Sequence, residues 1–198
     1  SYGKSYQHSD KYREILPFAV DTSTIPYRKN LINGRIKIIH GITRAGFKGS
    51  DIILEALKKV ECDYPDCFEI IIIERLPFSE YMKLLCNANV VIDQIYGEGL
   101  GMNALYSMAS SCIVLTSFER VSVGGLNLKD APAIQTGITV DEIYQQIVDL
   151  RKLTRDSFLD KGKQSRDFVL TNNSPVKVAE KIINYWTSNG APALTSKK

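Results

Sequence analysis

The sequence has little that would tie it to nucleic acid, membrane or metal. Its net charge is only +3, and its lysines and arginines are dispersed apart from the Lys197–Lys198 pair, so no basic face is built for a phosphate backbone. No apolar run approaches the roughly 20 residues of a membrane span, and there is no signal-peptide pattern. There are only two histidines, His8 in a polar stretch and His40 at a strand end; neither has a visible acid-base partner, and both are read as structural. Cys62 and Cys67 have neither a second cysteine pair nor a nearby histidine, which argues against zinc. Three of the four cysteines sit in or beside apolar runs, so reduced thiols in a cytoplasmic protein are expected. Repeats and low-complexity segments are missing too. No methionine precedes Met82, which suggests a piece of a longer chain or a processed one.

What is present is a 198-residue chain, 44% hydrophobic and 24% charged, enough to bury one sizeable core and too apolar for disorder. Residues 1–30 are polar and tyrosine-rich around "ILPFAVD", which Pro17 keeps extended. "RIKIIHG" (Arg35 to Gly41) is strand-like, and "SDIILEALKKV" has helical apolar spacing with Ser50 or Asp51 as N-cap. "FEIIIIE" (Phe68 to Glu74) predicts a strand covered on both faces, since its isoleucines are unbroken. The helix "FSEYMKLLCNA", the strand "VVIDQ" (Val90 to Gln94), a glycine-rich turn, the helix "MNALYSMAS" and the strand "CIVLTS" follow in order. After a polar loop from Phe118 to Asp130, "APAIQTG" reads as a last strand, and helices are expected near 140–153, 155–170 and 176–186, with Tyr185 and Trp186 packing. This alternation predicts an α/β, Rossmann-like, doubly wound parallel sheet. The layout is an interdomain segment 1–30, one domain 31–187 and a mobile tail 188–198.

Ligands of such sheets bind beyond the carboxyl ends of the strands, so chemistry is expected in three loops: His40 to Ser50, Glu74 to Ser79 and Gln94 to Asn103. The first, "HGITRAGFKGSD", is not a Walker loop, because its lysine does not directly follow the second glycine. Arg44 and Lys48 instead stand beside a helix start, where they could hold a diphosphate or could simply be solvated cations on a turn. In the third loop Gly97, Gly99 and Gly101 surround Glu98, which could accept from sugar hydroxyls or merely complement the helix dipole. Asp93 and Gln94 end a strand at the same edge, either as anchors or as working groups. No G-x-G-x-x-G follows the first strand, which disfavours a dinucleotide fold.

The order of strand, R-x-x-x-K-G loop and helix, then "VVIDQ", then E-G-L-G opening a helix that carries "SMAS", resembles the C-terminal, donor-binding domain of family 4 type glycosyltransferases with the GT-B fold. "LPFAVDTSTIPY" is similar to the segment where such enzymes cross between domains, and the resemblance covers most of residues 15–187. It implies a single domain equal to one half of a GT-B fold. Arg44 and Lys48 match the basic pair that binds the sugar-nucleotide diphosphate, and Glu98 matches the first glutamate of the E-x7-E motif, which contacts the donor sugar. Gly99, Leu100 and Gly101 match the backbone that approaches sugar and phosphate, and Arg75, Leu76 and Pro77 the loop that flanks the base. The second glutamate is replaced by Tyr106, whose phenol offers the ribose less than a carboxylate would. "ASS" (Ala109 to Ser111) also lacks the glycine usual after the methionine-alanine pair.

The resemblance implies a retaining glycosyltransferase that passes a hexose to a polysaccharide or lipid-linked acceptor. Its partners are a nucleotide diphosphate sugar and an N-terminal Rossmann-like domain of the same longer chain, which would also make any peripheral membrane contact; no nucleic acid is involved. No cofactor or metal is expected, because Arg44, Lys48 and helix N-termini take the cation's role. The isolated domain should bind donor weakly and transfer little. The other reading, which Tyr106 favours, is a non-catalytic nucleotide-sugar-binding or interaction module.

Overall fold

In a computed structural model, residues 15–42, 46, 48–118, 122–123 and 126–189 are described; Arg44, His8 and the tail from 190 onward lie outside the described residues. The elements are β1 (Ile36–Ile42), α1 (Ser50–Asp63), β2 (Phe68–Glu74), α2 (Phe78–Leu85), β3 (Val90–Ile92), α3 (Met102–Ala109) and β4 (Ile113–Thr116). They continue with β5 (Ser122–Val123), β6 (Leu126–Asn127), β7 (Ile134–Gln135), α4 (Val140–Asp149), α5 (Arg155–Asn173) and α6 (Pro175–Ser188). Five strands pair in parallel in the order β2-β1-β3-β4-β7, and β5 with β6 forms a small antiparallel hairpin.

Alternation along the strands divides the core between two faces, as the two-residue period of a strand requires. Ile38, Ile92 and Leu115 pack with Ile53 and Leu57 of α1 and Ile143 and Ile147 of α4. Ile39 and Val91 pack with Leu85 of α2 on one side, and Val114 with Leu105 and Met108 of α3 on the other part of the same layer. The fold is therefore an α/β Rossmann-like sheet covered by helices on both faces. The segment ahead of β1 is built into it: Val20 and Ile25 are buried beside α3, and Arg166 of α5 donates to the carbonyls of Ile25 (3.0 Å) and Ala109 (2.5 Å).

Several local expectations change. β2 is an edge strand, with Ile72 38% exposed, because an unbroken apolar run does not distinguish a central strand from an edge one. The N-cap of α1 is Gly49 rather than Ser50 or Asp51, and Ser50 is already helical. The expected polar loop contains the β5–β6 hairpin. Trp186 is 54% exposed rather than packed, while Tyr185 is half-buried.

Ser111, where the resembling family usually has glycine, adopts a left-handed φ of 63°, and its buried hydroxyl has no partner. Both features cost a residue with a side chain, and glycine removes both at the expense of some unfolded-state entropy. Ser111→Gly is expected to raise the unfolding free energy by about 1 kcal/mol in urea titrations.

Candidate functional site

Chain order reverses between β1 and β3: β1 leads outward to β2, and β3 leads the other way to β4. At such a switch point the loops leaving adjacent strands diverge and open a crevice. The loop after β1 carries Lys48 and ends in α1; the loop after β3 carries Glu98 and ends in α3. Both helices begin at a glycine, Gly49 and Gly101, with no side-chain hydrogen bond at the cap. By contrast α4 has a complete Thr139–Glu142 capping box, and α5 is capped by Thr154. Among the described residues no cap side chain meets the first N–H groups of α1 and α3, which stand at the positive ends of two helix dipoles.

One hydrogen bond joins the two loops, and a second ties the β3 loop to the end of β4. Ile95 N–H donates to the Lys48 carbonyl (3.0 Å) and Ser117 N–H to the Gln94 carbonyl (2.8 Å). Lys48, only 9% exposed, donates through Nζ to Oδ1 of Asp93 at 2.8 Å, and Asp93 is 1% exposed. The same oxygen accepts from Asn103 Nδ2 at 2.7 Å, while Asn103 Oδ1 accepts from the Tyr81 hydroxyl. Burial, with the Asp93 charge second, holds the Tyr81 phenol well above its ordinary 10, so it remains a donor. The chain runs Tyr81, Asn103, Asp93, Lys48, from α2 across α3 to the β1 loop. Oδ2 of Asp93 faces the Gly101 backbone, 3.9 Å from where a β-carbon would stand.

His40 is fully buried and lies behind this network. Its Nδ1 is 2.8 Å from the Ile92 carbonyl, which can only accept, so Nδ1 carries the proton and Nε2 accepts from the Ser50 hydroxyl at 3.0 Å. Burial above all, with the Lys48 charge adding to it, holds the ring below its ordinary 6.5 despite the Ile92 bond. A neutral His40 ties β1 to β3 and to the start of α1, and it consumes the hydroxyl that the sequence offers as a cap.

Of the residues singled out by sequence, Arg44 lies outside the described residues. Lys48 is at the crevice but paired. Glu98 is half-buried beside buried Gly99 and Leu100, and no described residue pairs with its carboxylate. Gly99 is held by Gln94 Nε2 at 3.5 Å from its carbonyl, and Gly101 starts α3. Arg75, Leu76 and Pro77 are exposed beyond β2, with Arg75 at a left-handed φ of 52°. Tyr106 is partly buried against the core, and its ring meets Phe78, the residue after Pro77, edge-on at 5.0 Å. The crevice thus has the buried Lys48–Asp93 pair at its middle. Sequence reasoning missed Asn103 and Tyr81. Asn103 could have been found as a polar residue in the first turn of α3, on the side of the strand-end Asp93; Tyr81 gives no local signal. Among the described residues no three metal-ligating side chains cluster, and no helix is long and apolar enough to cross a membrane.

No protein-family model matches the chain, and no curated protein does. Solved structures match it in fold. Sucrose-phosphate synthase from Thermosynechococcus elongatus superposes with a TM-score of 0.65 at 14% identity, over 95% of this chain and 55% of that one. The C-terminal domain of a glycosyl transferase group 1 family protein from Francisella tularensis gives 0.56 at 17% identity, over 79% of this chain and 100% of that one. Anabaena HepE in complex with UDP gives 0.56 at 13% identity, over 78% of this chain and 49% of that one. The chain spans about half the length of HepE. The chain shares the α/β Rossmann-like fold of these structures, and the Francisella C-terminal domain is covered over its whole length.

Proposed function

We propose that the crevice between the β1 and β3 loops binds a nucleotide diphosphate sugar, as the donor half of a retaining, family 4 type hexosyltransferase. The observation that carries this reading is the convergence, across the switch point, of Lys48, Glu98 and two helix N-termini without side-chain caps. In this reading the diphosphate lies against Lys48, Arg44 and the N–H groups of α1 and α3, which offset the charge that grows on it as the sugar C1–O bond breaks. Glu98, half-buried and without a partner among the described residues, accepts from sugar hydroxyls, and Gly99 to Gly101 let the backbone come close. The nucleoside lies toward Arg75, Leu76, Pro77 and Tyr106. The acceptor, a polysaccharide or lipid-linked sugar, and any peripheral membrane contact fall to an N-terminal Rossmann-like domain of a longer chain. No metal is needed. The four free thiols, among them the buried Cys112 with its pKa pushed up to about 11 chiefly by desolvation, fit a cytoplasmic setting. A structure with UDP among those of this fold supports a uridine nucleotide as the first ligand to try.

A non-catalytic nucleotide-sugar-binding module is favoured by one observation: Tyr106 puts a phenol, packed on Phe78, where a carboxylate would take both ribose hydroxyls. Calorimetric titration with UDP, GDP and their sugars tests both readings. The wild-type chain is expected to bind one of them with a Kd on the order of 0.1 mM, weakened about tenfold by Lys48→Ala. Absence of binding by any nucleotide at millimolar concentration would overturn the donor-site reading. Tighter binding by Tyr106→Glu would favour the degenerate module.

A further inference from the structure

The cation that the sequence offers to a diphosphate is not presented as a free charge. Lys48 and Asp93 are both buried and 2.8 Å apart, so at the distance of a ligand phosphate their fields largely cancel. Asn103, itself braced by Tyr81, donates to the same Oδ1, so Asp93 is fixed from a second side and cannot swing away when an anion arrives. Oδ2 lies by the Gly101 backbone at the start of α3, one of the two helix starts that flank the crevice. An anion reaching Lys48 therefore meets a held carboxylate beside it, and the penalty grows with the anion's charge.

We propose that Asp93 is a specificity-determining residue of the anion site: held by Asn103 and Tyr81, it tempers Lys48 so that the crevice disfavours ligands in proportion to their negative charge. This rests on the nucleotide-sugar reading and adds to it a direction of selectivity. The terminal phosphate of a nucleoside diphosphate has a second ionisation near 6 and carries about one charge more at pH 7.5 than the same phosphate esterified to a sugar. The site accordingly favours the sugar-bearing donor over the free nucleoside diphosphate left after transfer, and product leaves more readily than a bare lysine would allow.

Asp93→Asn is the informative variant, because its amide oxygen can still accept from Lys48 and Asn103 while the charge is gone. Calorimetry with UDP and UDP-glucose on the full chain, at pH 7.5 and fixed low salt, is expected to give UDP binding about tenfold tighter than wild type and UDP-glucose about threefold tighter. A loss of packing alone would weaken both and would not change their ratio. As a second comparison, Lys48→Gln with Asp93→Asn is expected to bind UDP more tightly than Lys48→Gln alone; far-ultraviolet circular dichroism establishes that each variant is folded. Weaker UDP binding by Asp93→Asn, or an unchanged UDP to UDP-glucose ratio, overturns the inference while wild-type binding leaves the donor-site reading standing. If neither wild type nor Asp93→Asn binds either nucleotide, both fall together.

Discussion

Lys48→Ala is expected to lower the unfolding free energy by about 3 kcal/mol in urea titrations at pH 7.5, a large effect for one exposed-sounding residue of a glycine-rich loop. The magnitude comes from what is left behind. Asp93 is 1% exposed, and once the ammonium 2.8 Å away is gone, the side-chain donor left to it among the described residues is the Asn103 amide. Removing one partner of a buried pair costs far more than the pair itself contributes, because the desolvated survivor is uncompensated. Adding Asp93→Asn to Lys48→Ala is therefore expected to recover at least half of the loss, since no buried charge remains. A surface lysine would cost a few tenths of a kcal/mol and show no such recovery. If Lys48→Ala is that mild, the pair is not buried in solution and the electrostatics of the crevice must be redrawn.

That pairing marks where the sequence stops being informative. The alternation of strands and helices, and the three loops at the carboxyl edge, were legible because each rests on local periodicity: β1, α1, β3, α3 and β4 all lie within a few residues of their expected spans. The Lys48–Asp93 contact joins residues 45 apart in the chain, and no spacing rule brings them together. The cap of α1 was misread for a related reason. Ser50 has the residue type of an N-cap, but His40 lies across the loop and takes its hydroxyl, leaving Gly49 to turn the chain. The family resemblance carried Glu98 and the Gly99–Gly101 turn to the crevice, yet it presented Lys48 as a free cation. It also flagged Ser111 and Tyr106 as departures; the structure gives the first a left-handed backbone and the second a ring partner, Phe78, that the motif does not contain.

Gly49→Ala is expected to be about as costly as Lys48→Ala, near 3 kcal/mol, and to disable the crevice as well. Gly49 sits at φ 69°, where a side chain costs about 1 kcal/mol or more in any surroundings. A β-carbon there would also stand 2.3 Å from Cγ1 and 2.5 Å from Cδ1 of Ile95, a residue only 2% exposed and closed in by the core. Ile95 must then change rotamer inside a closed core or shift its backbone, whose N–H bond to the Lys48 carbonyl holds the two loops in register. The same substitution at Gly46 provides the control: its φ is 78°, but among the described residues nothing lies within 4 Å of the added carbon. Gly46→Ala should therefore cost only the backbone part, about 1 kcal/mol, and the difference between the two variants in urea titrations measures the collision. Nucleotide affinity should follow the same division, lost in Gly49→Ala as Lys48 is displaced from Asp93 and largely kept in Gly46→Ala. Equal losses at the two glycines would mean that Ile95 yields readily, and that the close approach of the β1 and β3 loops is not what sets Lys48 in place.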